Sequence, residues 1–333
     1  MRIVKMQGVD LAQFQFDYDL TWSAIMLDSA GTVLARYGGR SAEGPMSINS
    51  IDGFRRTMQR VLDVYPQRTD HADWFVAKKG PKPAYERPEQ MQVEVIRNAL
   101  NAGNNNKACI HCHNIHDAQH QLAEANGTYD PQKVWKYPPT QNLGFTLDVN
   151  EGTRVSAVEG GSLADRADLQ VGDNLVSANG QRLLSLADVQ FVLHFLPEPA
   201  TLSLNVDRAG SQRTLTLELP NGWRRSDISW RVSMYGMYPR PGLWIDTLPA
   251  DQKKSFHLQD GQLAMIVKGL FGEAVRKSDL KKNDVIVNLD GKVNAMTPGQ
   301  FHEQIRLKHF KRGSVMQLEI LRDGKKRSIN VQF

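Results

Sequence analysis

The sequence predicts an α+β multidomain chain: a partial α/β unit, a small helical segment, and two copies of a small domain built from short strands. Three observations carry this. "ADLQVGDNLVSANGQ" (167–181) matches "SDLKKNDVIVNLDGK" (278–292), with Leu169, Asp173 and Gly180 returning as Leu280, Asp284 and Gly291, each 111 positions on. "LTWSAIMLDSAGTVLARYGG" (20–39) is a pair of apolar runs around a turn, and a helical apolar period follows it. "KACIHCHNIHDAQHQ" (107–121) holds both cysteines of the chain and four of its nine histidines.

The elements follow in order. "RIVK" (2–5) reads as a short strand. Residues 20–39 read as a β-hairpin, with Gly31 supplying the positive φ of its turn. Ile48, Ile51, Phe54, Met58, Val61 and Tyr65 recur every three or four residues, which predicts an amphipathic helix and closes a partial α/β unit over 1–76. "AKKGPKPAYERP" (77–88), with three prolines and a glycine, makes 77–87 a linker. In "PEQMQVEVIRNALNAG" (88–103), Pro88 suits a first turn, Met91, Val95, Ile96 and Ala99 share a face, and Gly103 ends the helix. The Cys–His segment comes next and continues as a helix to Asn126-Gly127, so 88–140 form one helical segment. The duplicated domains take 141–220 and 241–333, each with one central helix and a closing hairpin at Arg208-Ala209-Gly210 or Arg322-Asp323-Gly324. A linker rich in Trp, Arg and Tyr (221–240) separates them.

Composition narrows the function classes. The charge balance is 41 basic to 36 acidic residues, spread along the chain, which argues against a nucleic-acid partner. No stretch approaches the roughly 18–20 apolar residues of a membrane span. The first residues, "MRIVKMQGVDLAQF", lack the apolar core of a signal peptide. Two cysteines three positions apart cannot staple a chain of 333 residues and point to local chemistry.

"SLADRADLQVGDNLVSANGQRLLSLADVQFVL" resembles PDZ domains of the bacterial HtrA type, through Asp-Leu before a Gly-Asp turn, an Asn-Gly turn, and a helix opening with Ser-Leu-Ala-Asp. "NLGF" (142–145) matches that family's carboxylate-binding loop. The resemblance implies that a peptide C-terminus is cradled by Leu143, Gly144, Phe145 and Thr146 and adds a strand to the sheet edge. The helix 185–194 would wall the groove, with Leu186 and Val189 giving an apolar preference. In the second copy the corresponding loop is "PGLW" (241–244), followed by a long insertion, "PADQKKSFHLQDGQ" (249–262). Neither a "GxSxG"-like nor a "GNSGG"-like nucleophile segment is present, so no hydrolase is expected.

"RIVKMQGVDLAQFQFDYDLTWSAIMLDSAGTVLARYGGR" resembles the C-terminal half of a thioredoxin-like domain. With "FDYDLTW", "RYGGR", "CIHCH" and "GWRRSDISWR", it is similar to a family of thioredoxin-like/PDZ proteins, some of them selenoproteins, of planctomycete-type bacteria. That resemblance implies a redox motif upstream of Met1 and a start that lies inside a longer, exported protein. The proline that thioredoxins place before the hairpin strand is missing from "DLTW".

The Cys–His segment admits three chemistries. Cys109, Cys112 and His113 form Cys-x-x-Cys-His, the attachment pattern of a c-type haem, with His113 delivered to the iron. Met91, His116, His120 or a Met from one of the PDZ-like units could supply a sixth ligand. The two cysteines could instead be a redox thiol pair. Or Cys109, Cys112, His116 and His120 could close a tetrahedral zinc site. The reading adopted is an exported, periplasmic protein whose haem c serves electron transfer or redox sensing and whose PDZ units dock a protein or peptide C-terminus. The competing reading is a non-redox PDZ adaptor with a zinc- or thiol-based cluster.

Overall fold

The computed structural model describes residues 1–101 and 109–333. The chain is a mixed α/β, multidomain protein that divides into two compact units, Met1–Leu122 with Gln132–Ser226, and Ala123–Pro131 with Asp227–Phe333. Among the described residues no helix is long and apolar enough to cross a membrane.

In the first unit, β1 (Ala24–Leu27) and β2 (Val33–Tyr37) form an antiparallel hairpin. Asp28 Oδ1 accepts from the N–H groups of Ala30 and Thr32, and Gly31 turns the chain at φ 84°. Helix α1 (Ile51–Val64) starts at Ser50, whose hydroxyl accepts from Gly53 N–H at 2.9 Å. The strand expected at 2–5 does not form. Arg2 to Lys5 are exposed and find no partner strand, and the chain is tied down at the next residue, where Met6 N–H donates to Ile110 O at 2.9 Å. Among the described residues the hairpin's sheet has two strands, so a thioredoxin-like unit is not shown.

Short α2 (Asp73–Val76) leads into residues 77–87, which contain no strand or helix yet are not a solvated tether. Lys78 is fully buried, Gly80 N–H donates to Gln15 Oε1, and Glu86 O accepts from Leu11 N–H. The helix expected from Pro88 is broken: Pro88–Gln90 make a 3-10 turn, and α3 spans Glu94–Asn101. Gly103 lies outside the described residues. Helix α4 spans Cys112–Ala125. Met6, Leu11, Tyr18, Met91, Ile96, Ile110 and Ile115 form a small core around α3 and α4.

The first duplicated domain runs β3 (Phe145–Leu147), β4 (Val155–Val158), α5 (Leu163–Arg166), β5 (Asn174–Ala178), β6 (Gln181–Arg182), α6 (Leu186–Phe195), β7 (Ala200–Arg208) and β8 (Ser211–Leu219). Among the described residues β3 pairs with β4, and a second sheet has the order β6-β5-β7-β8. The second unit repeats the plan with β9 (Leu243–Thr247), α7 (Ala250–Ser255), β10 (Met265–Leu270), α8 (Glu273–Lys277), β11 (Val285–Leu289), α9 (Pro298–Lys308), β12 (Val315–Arg322) and β13 (Lys325–Gln332). Its sheet is continuous, in the order β13-β12-β11-β10-β9.

The duplication extends to atoms. Arg208 grips Asp173 with Nε and Nη2 at 2.7 and 2.8 Å and also reaches the side chain and carbonyl of Asp168. Arg322 grips Asp284 at 2.7 Å from both nitrogens and reaches Asp279 in the same way. Each clasp ties the closing hairpin to the turn that precedes the first central strand. The hairpin turns Ala209-Gly210 and Asp323-Gly324 carry two successive positive φ angles, as a two-residue turn between twisted strands requires.

Candidate functional site

The candidate peptide site lies in the first duplicated domain. Thr140–Leu143 wind into a 3-10 turn that ends at Gly144, φ 86°. A side chain at 144 would also overlap Ser162, so left-handed backbone and close approach both require glycine there. Leu143 and Phe145 are buried in the domain core, and Thr146 is half-buried.

The hydrogen bonds of β3 define its open edge. Gly144 O accepts from Glu159 N–H and Asp148 N–H donates to Arg154 O, both at 2.8 Å, while Thr146 lies opposite Ala157. Alternation along an antiparallel strand then turns the backbone groups of Phe145 and Leu147 to the other edge, away from β4. Among the described residues no strand pairs with that edge.

Helix α6 shares the core with β3 through Val189 and Leu193. Ser185 caps it, accepting from Asp188 N–H at 3.1 Å. Val189 is 1% exposed and is a core residue, whereas Leu186 is half-buried and stays accessible. Gln190, four residues on from Leu186, shares its face. Two features of α6 escape a reading of the sequence. Tyr137, from the segment before the loop, stacks on His194 with ring centroids 4.1 Å apart. Its N–H donates to His194 Nδ1 and its carbonyl accepts from Gln190, both at 3.4 Å. In the second unit Tyr235 meets His302 and Arg306, the same positions counted from the N-cap of α9. The other feature is an ionic core behind α6. Asp188 Oδ2 accepts from Lys78 Nζ at 2.6 Å and from Leu184 N–H, and its Oδ1 accepts from Arg36 N–H. The Arg36 guanidinium donates to Gln15 O and Lys78 O and covers the Phe191 ring at 3.5 Å. Burial pushes Lys78 down to about 8, against the opposing pull of Asp188.

The Cys–His segment carries two thiols and four imidazoles between residues 109 and 120. Cys109 and Cys112 are half-buried free thiols. Burial pushes Cys112 up, which disfavours the thiolate that disulfide exchange needs. His113 is half-buried in the first turn of α4, with Nδ1 3.3 Å from Asp117 Oδ2. His116 is buried and turns to Asp19, its Nδ1 3.0 Å from Oδ2. Burial pushes His116 down, the nearby Lys136 charge adds to this, and Asp19 opposes both. Among the described residues the ligating atoms that come together, all within 4.8 Å of one another, belong to Asp17, Asp19 and His116. Cys109, Cys112 and His120 are outside that group, so the structure does not assemble the tetrahedral set expected from their spacing. Met91 is buried in the small core around α3 and α4.

Comparison with known proteins places the duplicated domain. Residues 154–208 match the PDZ domain family. A Marinomonas sp. (strain MWYL1) protein named "Probable periplasmic serine endoprotease DegP-like" is 26% identical over 44% of this chain and 30% of its own length. A protein of the same description from Pseudomonas savastanoi pv. phaseolicola is 29% identical over 54% of this chain and 37% of its own. The chain thus spans about a third of the length of these curated relatives. Among solved structures, the HtrA3 PDZ domain bound to a phage-derived ligand (FGRWV) is 27% identical, covering 21% of this chain and 65% of that one at a TM-score of 0.18. These matches correct the redox expectation. The relatives are described as probable periplasmic serine endoproteases, DegP-like, not as haem or electron-transfer proteins.

Proposed function

We propose that the chain is a non-redox PDZ adaptor whose first duplicated domain captures the C-terminal segment of another protein. The observation that carries this is the open edge of β3, with the backbone of Phe145 and Leu147 turned away from β4 beside a glycine-hinged loop. An extended peptide would add there as a further strand, and its main-chain bonds would supply affinity. Its carboxylate would meet the 143–146 loop, and its side chains would meet Leu186 and Gln190 on α6. Leu186 gives the site an apolar preference. Residues 1–80 serve as a buttress: β2 and the Lys78 segment hold α6 from behind. An exported, periplasmic setting belongs to this reading, because the curated relatives are described as periplasmic.

The test is fluorescence anisotropy on the full chain with labelled free-carboxylate pentapeptides ending in apolar residues, FGRWV among them, beside their C-terminal amides. Micromolar binding of the free acids, at least about tenfold weaker for the amides, is expected. Leu186→Glu should weaken binding by about tenfold without changing the circular dichroism spectrum, since its side chain is only half-buried. Failure of every free-carboxylate peptide to bind would sink the reading.

A further inference from the structure

We propose that Asp17, Asp19 and His116 form a structural site for a divalent transition metal of the zinc class. The site would pin the segment that precedes β1 onto helix α4. It does not depend on peptide capture.

The argument begins with placement. Asp17 and Asp19 are two positions apart in a turn closed by Leu20 N–H donating to Asp17 O at 3.2 Å. Asp17 Oδ1 accepts from Asp19 N–H at 3.1 Å, which fixes one carboxylate relative to the other. His116 comes from α4, 97 residues further along the chain. Exposure is 7% for Asp17, 4% for Asp19 and 2% for His116. Carboxylates and an imidazole are seldom gathered this far from water without a task or a counter-charge, and Lys136 supplies one nearby positive charge for the two carboxylates. Here they converge from two distant segments.

Geometry and donor chemistry agree. The ligating atoms lie within 4.8 Å of one another, and the Asp19 Oδ2 to His116 Nδ1 separation is 3.0 Å. A tetrahedral ion with bonds of about 2.0–2.1 Å spaces its ligands roughly 3.3 Å apart, so a small closing movement would seat it. One imidazole and two carboxylates suit zinc and its first-row neighbours better than calcium or magnesium, which prefer all-oxygen shells. The ring of His116 is held independently: Tyr18, between the two aspartates, meets it edge-on at 5.2 Å, and the Tyr18 hydroxyl is anchored on Phe14 O at 3.0 Å. Cys112 stands one helical turn before His116 and His120 one turn after, so α4 carries a candidate fourth ligand in each direction.

The experiment uses the full chain, stripped with chelator and then titrated with Zn²⁺ alone or Co²⁺ alone. One equivalent of zinc should be retained through gel filtration, with a rise in melting temperature. Asp17→Asn/Asp19→Asn should lose at least about a hundredfold in zinc affinity, while Cys109→Ser with Cys112 intact should lose little. Should the aspartate variant fail to fold, the Co²⁺ spectrum of the native chain still decides. Ligand-field bands with at most one thiolate's charge-transfer intensity support the site. No Co²⁺ uptake, or charge transfer from two thiolates, overturns it. Zinc retained by the folded aspartate variant but lost on Cys109→Ser would also overturn it, and would assign the ion to the cysteine pair.

Discussion

Asp173 is a carboxylate that the fold has taken out of water and given a single dominant partner. Burial alone would raise its pKa, but the Arg208 guanidinium, bound through two nitrogens, and the Gln170 N–H together outweigh this and hold the carboxyl below its ordinary range. A lowered folded-state pKa means that this contribution is complete above the unfolded pKa and is lost as pH falls through the acid range. Asp173→Ala leaves a partly buried guanidinium without its fork, so a loss of about 2–4 kcal/mol is expected by urea denaturation. Arg208→Lys should recover little, because an ammonium cannot span both carboxylate oxygens. Asp284→Ala should cost the second unit a comparable amount in the same assay, since Arg322 makes the same hydrogen bonds.

At the scale of elements, two helices carry opposite kinds of buried charge. Helix α6 is fastened by a buried ion pair, Lys78 with Asp188, both without exposed side-chain surface. Asp188→Ala strands an ammonium and removes the acceptor of Leu184 and Arg36 N–H, which should cost about 3–5 kcal/mol. Lys78→Met/Asp188→Leu should cost less than the sum of its two single changes in a double-mutant cycle. Helix α9 instead holds adjacent groups that titrate in opposing senses. Burial and then Arg306 push His302 down to about 4. Burial and then Asp227 push Glu303 up to about 7. His302 therefore adds stability that is lost as pH falls below about 6.5, and Glu303 adds stability that is lost as pH rises from about 4.5 through 7. Between about 4.5 and 6.5 the two slopes offset each other. Glu303→Gln should raise the melting temperature at pH 8 and leave it nearly unchanged at pH 4, whereas His302→Gln should expose the Glu303 slope at pH 5–6.5.

For the whole molecule, legibility followed the range of the interaction. The duplication can be read because its turns are short-range and demand particular residue types at a fixed spacing: Asp173 and Asp284, and the Ala209-Gly210 and Asp323-Gly324 turns. The first hairpin was legible for the same reason, through Asp28 and Gly31. The strand expected at 2–5 does not form because a strand exists only with a neighbour, and local composition does not say whether one is present. Lys78 sits in "AKKGPKP", which looks solvated. Only the distant Asp188 makes a buried lysine tolerable there. Spacing in the sequence offers His116 to the cysteines or to a haem iron as an alternative ligand and gives no sign of Asp19, 97 residues away, which its imidazole meets. Tyr137 gives no local sign of its stacking on His194, 57 residues away.

The tie between β2 and the start of α6 has a thermodynamic consequence. Arg36 donates its N–H to Asp188 and offers its carbonyl to Ser185, so the hairpin backbone and the helix cap are partners in one hydrogen-bonded set. If bound peptide rests on α6, the free energy of holding it and the free energy of keeping residues 33–37 and 78 closed are linked, and linkage is reciprocal. Occupancy at the open strand should therefore slow amide exchange in the hairpin, and a substitution that loosens the Lys78 segment should release peptide it never touches.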